Sequence, residues 1–238
     1  SLLNITGSFA LEAWINQSAS SASAKGIIAK GGALGTSLRY AMRLTNKRIV
    51  LIINGATRLI SKTTTSIEPN TWYHVNGVFN SATGEHSIYI NGVLDTTSTY
   101  SSTLPASNTD SLFIGISGNS SPFNGMLDEV RIWNRVLTSN EIYHYSRLTL
   151  GTNTGVYSGL VLSLAFQKNN GDGNVFTFND QSGNSNHMIN RGVSGVDLTN
   201  RPSQTIDLNS CIELNGNNEY LAAPDAVSLS PFNSITLE

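Results

Sequence analysis

The feature that most constrains this chain is a two-residue alternation of apolar and polar side chains, which recurs between short stretches rich in Gly, Asn, Ser and Pro. From Ser37 to Leu44, for example, Tyr40 and Met42 fall on one face and two arginines fall on the other. Successive side chains of a β-strand point to opposite faces of the sheet, so this period predicts strands with one buried face. Helical periodicity is confined to short stretches, and the fold is therefore predicted to be all-β.

Three short motifs predict two turns and the beginning of a helix. Asn54-Gly55 and Asn91-Gly92 each follow an apolar run, and this dipeptide favours the tight turn of a two-residue hairpin. The sequence TSNEIYHYSR offers Thr138 or Ser139 as a capping residue and has Glu141 a few residues further on. That spacing predicts one short helix that begins at a capping box.

Composition excludes several classes of partner. Charged residues make up 13% of the chain and its net charge is −2, which gives no field strong enough to recruit nucleic acid or an acidic membrane. No apolar run reaches the roughly 18 residues that a membrane span needs. Cys211 is the only cysteine, so no disulfide can form within the chain. We therefore expect neither nucleic acid, nor membrane insertion, nor a thiol metal site.

The two ends of the chain resemble each other. Residues 8–12 read SFALE and residues 234–238 read SITLE. If Glu12 and Glu238 are equivalent, the period is 238 − 12 = 226 residues. That is roughly the length of one β-sandwich domain, so the match is compatible with an array of repeats.

Seven segments carry a family resemblance. Four lie in the first part of the chain, at residues 70–80 (NTWYHVNGVFN), 86–95 (HSIYINGVLD), 111–118 (SLFIGISG) and 123–137 (FNGMLDEVRIWNRVL). Three lie in the last part, at residues 159–166 (GLVLSLAF), 179–187 (NDQSGNSNH) and 212–224 (IELNGNNEYLAAP). Together they resemble the laminin-G-like, concanavalin-A-like domains of extracellular proteins. The resemblance implies a two-sheet antiparallel β-sandwich of the jelly-roll type.

The two halves of the family pattern occur here in swapped order. The resemblance divides the chain into residues 1–147, the C-terminal two-thirds of a sandwich, a Gly- and Thr-rich linker at 148–158, and opening strands at 159–238. Sheet edges without a partner attract other strands. The tail therefore either folds back as a circular permutation, completes a neighbouring chain by strand addition, or opens the next repeat of an array. We favour the array or polymer.

Glycoside hydrolysis, which related sandwiches carry out, needs two carboxylates that flank one sugar bond. The resemblance would place them in a Glu-x-Asp-x-x-Glu run, which the sequence lacks. Asp128 and Glu129 are adjacent in a predicted strand, so they are expected to point to opposite faces and not to form such a pair. The four histidines show no zinc spacing, and His74 is expected to be a strand residue. We predict no enzyme activity.

The resemblance implies a calcium ion as cofactor at the rim of the sandwich. Calcium prefers oxygen donors from Asp, Asn and backbone carbonyls. Asp128, Asp180 and Asn184 resemble the positions that would supply them. The alternative is that Asp180 and Asn184 form only an Asx-type turn.

Trp14, Trp72 and Trp133 could stack on sugars, but all three lie within predicted strands, where tryptophan usually packs into the core. The resemblance predicts a non-catalytic, extracellular, lectin-like adhesion module of a bacterial surface protein. Its partners would be glycans or other surface polymers and neighbouring repeats or chains. The alternative is a structural spacer of a surface fibre, assembled by strand complementation and without a ligand.

Overall fold

The computed structural model describes residues 2–32, 38–101, 109–117, 121–148, 150, 157–166, 177–191, 196–197, 211–217 and 219–223. Their strands are β1 (Phe9–Gln17), β2 (Lys25–Gly31), β3 (Leu38–Thr45), β4 (Arg48–Ile53), β5 (Ala56–Ile60), β6 (Tyr73–Asn80), β7 (Glu85–Ile90), β8 (Val93–Thr99), β9 (Leu112–Ile114), β10 (Asn124–Trp133), β11 (Leu160–Leu164), β12 (Thr177–Phe178), β13 (Met188–Arg191), β14 (Val196–Asp197), β15 (Cys211–Asn215) and β16 (Tyr220–Ala223). The helix is α1 (Ser139–Tyr145). Within these ranges, no helix has the length and apolar character needed to cross a bilayer.

The strands form two antiparallel sheets. In sheet A the order is β14-β15-β10-β1-β6-β7-β8, and β11 also pairs with β10. In sheet B the order is β12-β13-β16-β9-β2-β3-β4-β5. Apolar side chains of both sheets bury one core between them. The predicted all-β, two-sheet antiparallel sandwich is confirmed.

Side-chain alternation decides which face of each strand is buried in this core. On β1, Leu11 and Ile15 lie between the sheets, whereas Trp14 lies on the outer face of sheet A. On β3, Tyr40 and Met42 lie between the sheets, as the alternation predicts. Burial of one such side chain contributes roughly 1.5–3 kcal/mol. A register slip of one residue would move every one of them to the other face, so the pattern specifies the register.

Both predicted Asn-Gly hairpins are confirmed. Asn54-Gly55 joins β4 to β5 with φ angles of 54° and 72°, and Asn91-Gly92 joins β7 to β8 with φ angles of 52° and 79°. Positive φ at both central residues matches the twist of the flanking strands. A third hairpin joins β3 to β4 through Asn46 and Lys47, with φ angles of 48° and 61°. The sequence does not predict this hairpin, because lysine is not a typical residue of such a turn.

α1 begins at the predicted capping box. The Thr138 hydroxyl accepts a hydrogen bond from the Glu141 N–H at 3.3 Å, and the Glu141 carboxylate accepts one from the Thr138 N–H at 2.8 Å. Arg135 donates to both oxygens of the same carboxylate, at 3.1 and 2.7 Å. These bonds, first those of Arg135 and then those of Thr138, outweigh partial burial and lower the pKa of Glu141 to about 2.

The low pKa of Glu141 predicts that part of the stability is lost in acid. Because its folded-state pKa lies below the ordinary 4.5, the carboxylate stabilises the fold above pH 4.5, and this contribution disappears as the pH falls toward 2. Glu141→Gln should lower the free energy of unfolding by about 1 kcal/mol at neutral pH. It should also reduce the loss of free energy of unfolding between pH 4.5 and pH 2, as measured by urea titrations at a series of pH values. Glu85→Gln, at an exposed carboxylate, is the control. If the wild type and Glu141→Gln lost the same free energy of unfolding over this pH range, the lowered pKa of Glu141 would be contradicted.

The tail of the chain lies on the edges of the head. In sheet A, β15 pairs with the first half of β10 and β11 pairs with its second half. In sheet B, β16 pairs with β9, and β13 pairs with β16. Within this single chain the tail therefore extends both sheets. The division into units at 1–147, 148–158 and 159–238, and any pairing of the tail with a neighbour, stay predictions.

Candidate functional site

The loop that carries Asp180 is held together by its own hydrogen bonds. Asp180 Oδ1 accepts from the backbone N–H groups of Ser163 and Ser182, each at 2.9 Å. Its Oδ2 accepts from the Ser182 hydroxyl at 2.7 Å and from the Asn186 N–H at 3.0 Å. A carboxylate offers about four lone-pair sites, so these donors occupy all of them. The arrangement is an Asx-type turn that fastens the loop to β11.

Asn184 lies beside Asp180 in this loop. Its Nδ2 donates to Leu160 O at 2.8 Å and to Ser182 Oγ at 3.0 Å, and the Ser182 hydroxyl in turn donates to Asp180. The structure thus brings two of the predicted calcium ligands together. Asn184 directs its amide nitrogen, which does not bind cations, toward these partners.

Asp128, the third predicted ligand, lies on β10 and accepts the N–H of Glu129 at 2.8 Å. In the part of the chain that the structure describes, no three His, Cys, Asp or Glu side chains are grouped as they would be around a metal ion. Calcium binding by Asp128, Asp180 and Asn184 stays a prediction.

A buried ion cluster lies on the outer face of sheet A and consists of Glu12, His74, Glu129, Arg131 and Trp133. Arg131 is fully buried and forms ion pairs with both Glu12 and Glu129. Glu12 also lies 3.2 Å from His74 Nε2 and accepts from Trp133 Nε1 at 3.2 Å. Burial opposes ionisation of Glu12, but Arg131 and these hydrogen bonds hold the pKa of Glu12 below its usual value. His74 is a packed strand residue, as predicted.

A β-bulge in β10 shows that the prediction of opposite faces for Asp128 and Glu129 is wrong. The register of β10 against β1 shifts between the pairs Trp14↔Asp128 and Glu12↔Arg131, and Glu129 has a φ of 45°. The extra residue lets Glu129 reach Arg131 on the outer face, where Asp128 also lies opposite Trp14. Both carboxylates are at most 1% exposed, so neither meets a ligand from solvent.

Two of the three tryptophans are buried and not free to stack on a sugar, although Trp14 lies on the outer face of sheet A and not in the core between the sheets. Trp14 and Trp133 are at most 1% exposed, and Trp133 stacks on Tyr145 with 5.0 Å between ring centroids. Trp72 is half-buried and precedes β6, so the prediction that it lies within a strand is wrong. The strand begins late because Asn70, with a φ of 58°, turns the chain just before it.

An open cleft lies where the outer edges of the two sheets approach each other. β5 ends sheet B and β8 ends sheet A, and the two strands are in contact there. The cleft has a volume of about 210 Å³. Its lining consists of Lys62, Thr64, Thr65, Ile90, Val93, Leu94 and Asp95. We call it the edge cleft.

The edge cleft has one polar wall and one apolar wall. The turn after β5 contributes Lys62, Thr64 and Thr65 with their ammonium and hydroxyl groups. The beginning of β8 contributes Val93 and Leu94, which are 64% and 47% exposed. Exposure of large aliphatic side chains to water is unfavourable, so a ligand that covers them would bind more favourably.

Asp95 joins the two walls. Its side chain is 8% exposed, and its Oδ2 accepts the N–H of Lys62 at 2.7 Å. Its Oδ1 has no hydrogen-bond partner among the described residues. Lys62 is exposed and forms no ion pair with any residue in the described ranges. The cleft therefore offers an acceptor and a donor to one ligand.

The Asn91-Gly92 turn holds the apolar wall against α1. A Cβ at Gly92 would lie 2.9 Å from Ser146 Oγ and 3.2 Å from Tyr143 Cα, so only glycine lets the turn pack directly on the helix. Tyr89 adds a hydrogen bond to Ser139 at 3.1 Å. The predicted turn and the predicted helix thus position the beginning of β8. No sequence motif pointed to the cleft between them and β5.

Comparisons with known proteins agree with the sandwich. The sequence model of the concanavalin A-like lectin/glucanases superfamily matches residues 1–143, and no curated protein sequence matches the chain. The structure is similar to that of a Bacteroides ovatus protein named, provisionally, as carbohydrate-binding, with 21% identity, a TM-score of 0.60, and coverage of 76% of this chain and 51% of that one. It is also similar to CBM40 of the Ruminococcus gnavus IT-sialidase, with 12% identity, a TM-score of 0.50, and coverage of 60% and 85%. The chain spans about half the length of the Bacteroides ovatus protein, and both similarities show the fold alone.

Proposed function

The chain belongs to the concanavalin A-like lectin/glucanases superfamily, and from this membership we propose that it is a non-catalytic module that binds glycans. We further propose that it works outside the cell, as one repeat of an adhesive protein on a bacterial surface. The name of the Bacteroides ovatus protein and the sialidase that contains CBM40 support glycan binding. The likeness of residues 8–12 to residues 234–238 supports the repeat.

The observation that carries glycan binding is the division of the edge cleft into a polar and an apolar wall. A sugar ring has the same division, because its hydroxyl groups project from the rim and its C–H groups cover the faces. Val93 and Leu94 can pack against the C–H groups, while Lys62 and Asp95 can hydrogen-bond the rim. Thr64 and Thr65 add hydroxyl groups to the same wall.

The absence of catalysis is proposed from the carboxylates. Glycoside hydrolysis needs two of them on one sugar bond, and Asp95 is the one carboxylate among the described residues that line the edge cleft. Glu12 and Glu129 lie buried on the outer face of sheet A, where both form ion pairs with Arg131. A single carboxylate can bind a hydroxyl group, but it supplies only one member of the pair of carboxyl groups that the reaction needs.

A glycan array probed with the intact chain tests this proposal. We expect the chain to bind a restricted set of glycans and to release no sugar from them over hours. Val93→Asp should weaken this binding at least severalfold, because it places a charge on the apolar wall, and it should keep the fold because Val93 is 64% exposed. Val93→Ala is the matched control and should weaken binding less. If the chain bound no glycan on the array, the proposal would be contradicted.

The spacer function is a second proposal, and the position of the tail favours it. β11 and β15 occupy the edge of β10, and β16 occupies the edge of β9. A tail that left these edges could occupy the same edges of a neighbour. Light scattering of the intact chain should then show dimers and longer polymers that increase with concentration and incubation time. A monomer at all concentrations would contradict exchange.

Calcium binding at Asp128, Asp180 and Asn184 is a further proposal. An ion at Asp180 must displace at least one of the four hydrogen bonds that its carboxylate accepts. A rise of several degrees in the unfolding temperature on addition of millimolar calcium, lost in Asp180→Asn, would support it. Identical melting curves in calcium and in chelator would contradict it.

A further inference from the structure

We infer that the edge cleft recognises a neutral sugar residue with two adjacent hydroxyl groups, one bound by Asp95 and the other by Lys62. This inference rests on the proposed glycan binding and adds to it the place and the class of sugar. It is carried by the chemistry of one negatively and one positively charged residue, Asp95 and Lys62, that line the same cleft.

Asp95 is the acceptor of this pair. Its carboxylate is almost fully buried, and one oxygen is fixed by the Lys62 N–H at 2.7 Å while the other has no partner among the described residues. A carboxylate in this position gains most from an O–H donor, because a hydrogen bond to a charged group is about twice as strong as a neutral one. A sugar hydroxyl supplies such a donor.

Lys62 is the donor. Its backbone is held by Asp95, and its exposed side chain lines the same cleft without an ion pair to a described residue. An ammonium group has three N–H donors and no acceptor, so it complements the oxygen of a hydroxyl group rather than its proton. Two hydroxyls on adjacent carbon atoms can therefore satisfy both residues at once.

The balance of charge favours a neutral ligand over an acidic one. Among the described residues, the lining carries one negative and one positive side chain, and these charges balance, so they do not favour an anion. A sugar carboxylate bound by Lys62 would also lie close to Asp95, and the two like charges would repel each other. A neutral sugar meets no such repulsion.

Titrations of the intact chain with matched pairs of sugars test the inference. The probes are methyl hexosides and the corresponding methyl hexuronides, in which a carboxylate replaces the hydroxymethyl group at C6. Saturation-transfer NMR and calorimetry report their binding. We expect the hexoside of the preferred pair to bind at least tenfold more tightly than its hexuronide. Asp95→Asn should lower the affinity for the hexoside about tenfold and reduce the difference in affinity between the hexoside and the hexuronide. Lys62→Gln should weaken both.

Variants outside the edge cleft provide the matched controls. Glu85→Gln removes an exposed carboxylate on β7, and Lys25→Gln removes an ammonium at the beginning of β2, and neither should change the affinity. The amide introduced by Asp95→Asn keeps an oxygen for the Lys62 N–H, so this variant should melt within a few degrees of the wild type. Glycan binding that prefers hexuronides, or that is unchanged in Asp95→Asn and Lys62→Gln, would overturn the inference and leave the proposed function standing. Failure of the intact chain to bind any glycan would overturn both.

Discussion

Replacing Arg131 with leucine is expected to lower the free energy of unfolding by about 3–5 kcal/mol. Leucine leaves the carboxylates of Glu12 and Glu129 buried, at 0% and 1% exposure, without the cation that they share. It also removes hydrogen bonds to Tyr145 O at 3.0 Å and to Leu148 O at 2.7 Å, which fasten the end of α1 to sheet A. Urea unfolding at neutral pH, followed by tryptophan fluorescence, measures the loss.

Lys47→Met is the control for this variant. Lys47 pairs with Glu68 at 2.7 Å, but the two side chains are 37% and 48% exposed. An exposed ion pair contributes about 0–1 kcal/mol, so this variant should be nearly neutral. Glu12→Gln and Glu129→Gln, added to Arg131→Leu, should restore part of the loss because they remove the unpaired charges. If Arg131→Leu costs no more than Lys47→Met, the buried ion cluster does not support the fold.

The features of this fold that depend on a few neighbouring residues could be predicted from the sequence. The alternation on β3 predicts which side chains enter the core, and Asn91-Gly92 predicts a turn whose backbone angles only a few residue types accept. Thr138 and Glu141 predict the beginning of α1 for the same reason, because both halves of the capping box lie within one helical turn. Each of these signals is complete within about ten residues of chain.

Features that depend on contacts between distant segments could not be predicted in this way. The bulge at Glu129 exists because β10 must match the register of β1, more than 100 residues earlier, on both sides of Ala13. The edge cleft arises because the ends of two different sheets meet, and its link from Lys62 to Asp95 spans 33 residues. Neither Lys62 nor Asp95 belongs to a motif, so only the topology of the sheets brings them together.

Gly26→Ala is expected to lower the free energy of unfolding by about 3 kcal/mol, since it inserts an atom where two backbones touch. A Cβ at Gly26 would lie 2.2 Å from both Ile116 C and Ser117 N, and the peptide backbone cannot move aside as the end of a flexible side chain can. To make room, the segment after β9 would have to leave β2, where Gly115 donates to Ile27 O at 3.0 Å.

Gly7→Ala is the matched control, because its Cβ would meet nothing closer than a side-chain oxygen at 3.8 Å. Chemical unfolding of the two variants side by side separates the effect of this contact from the general effect of replacing glycine, which is at most about 1 kcal/mol. Equal stabilities would show that the segment after β9 does not pack against β2 as closely as the structure has it.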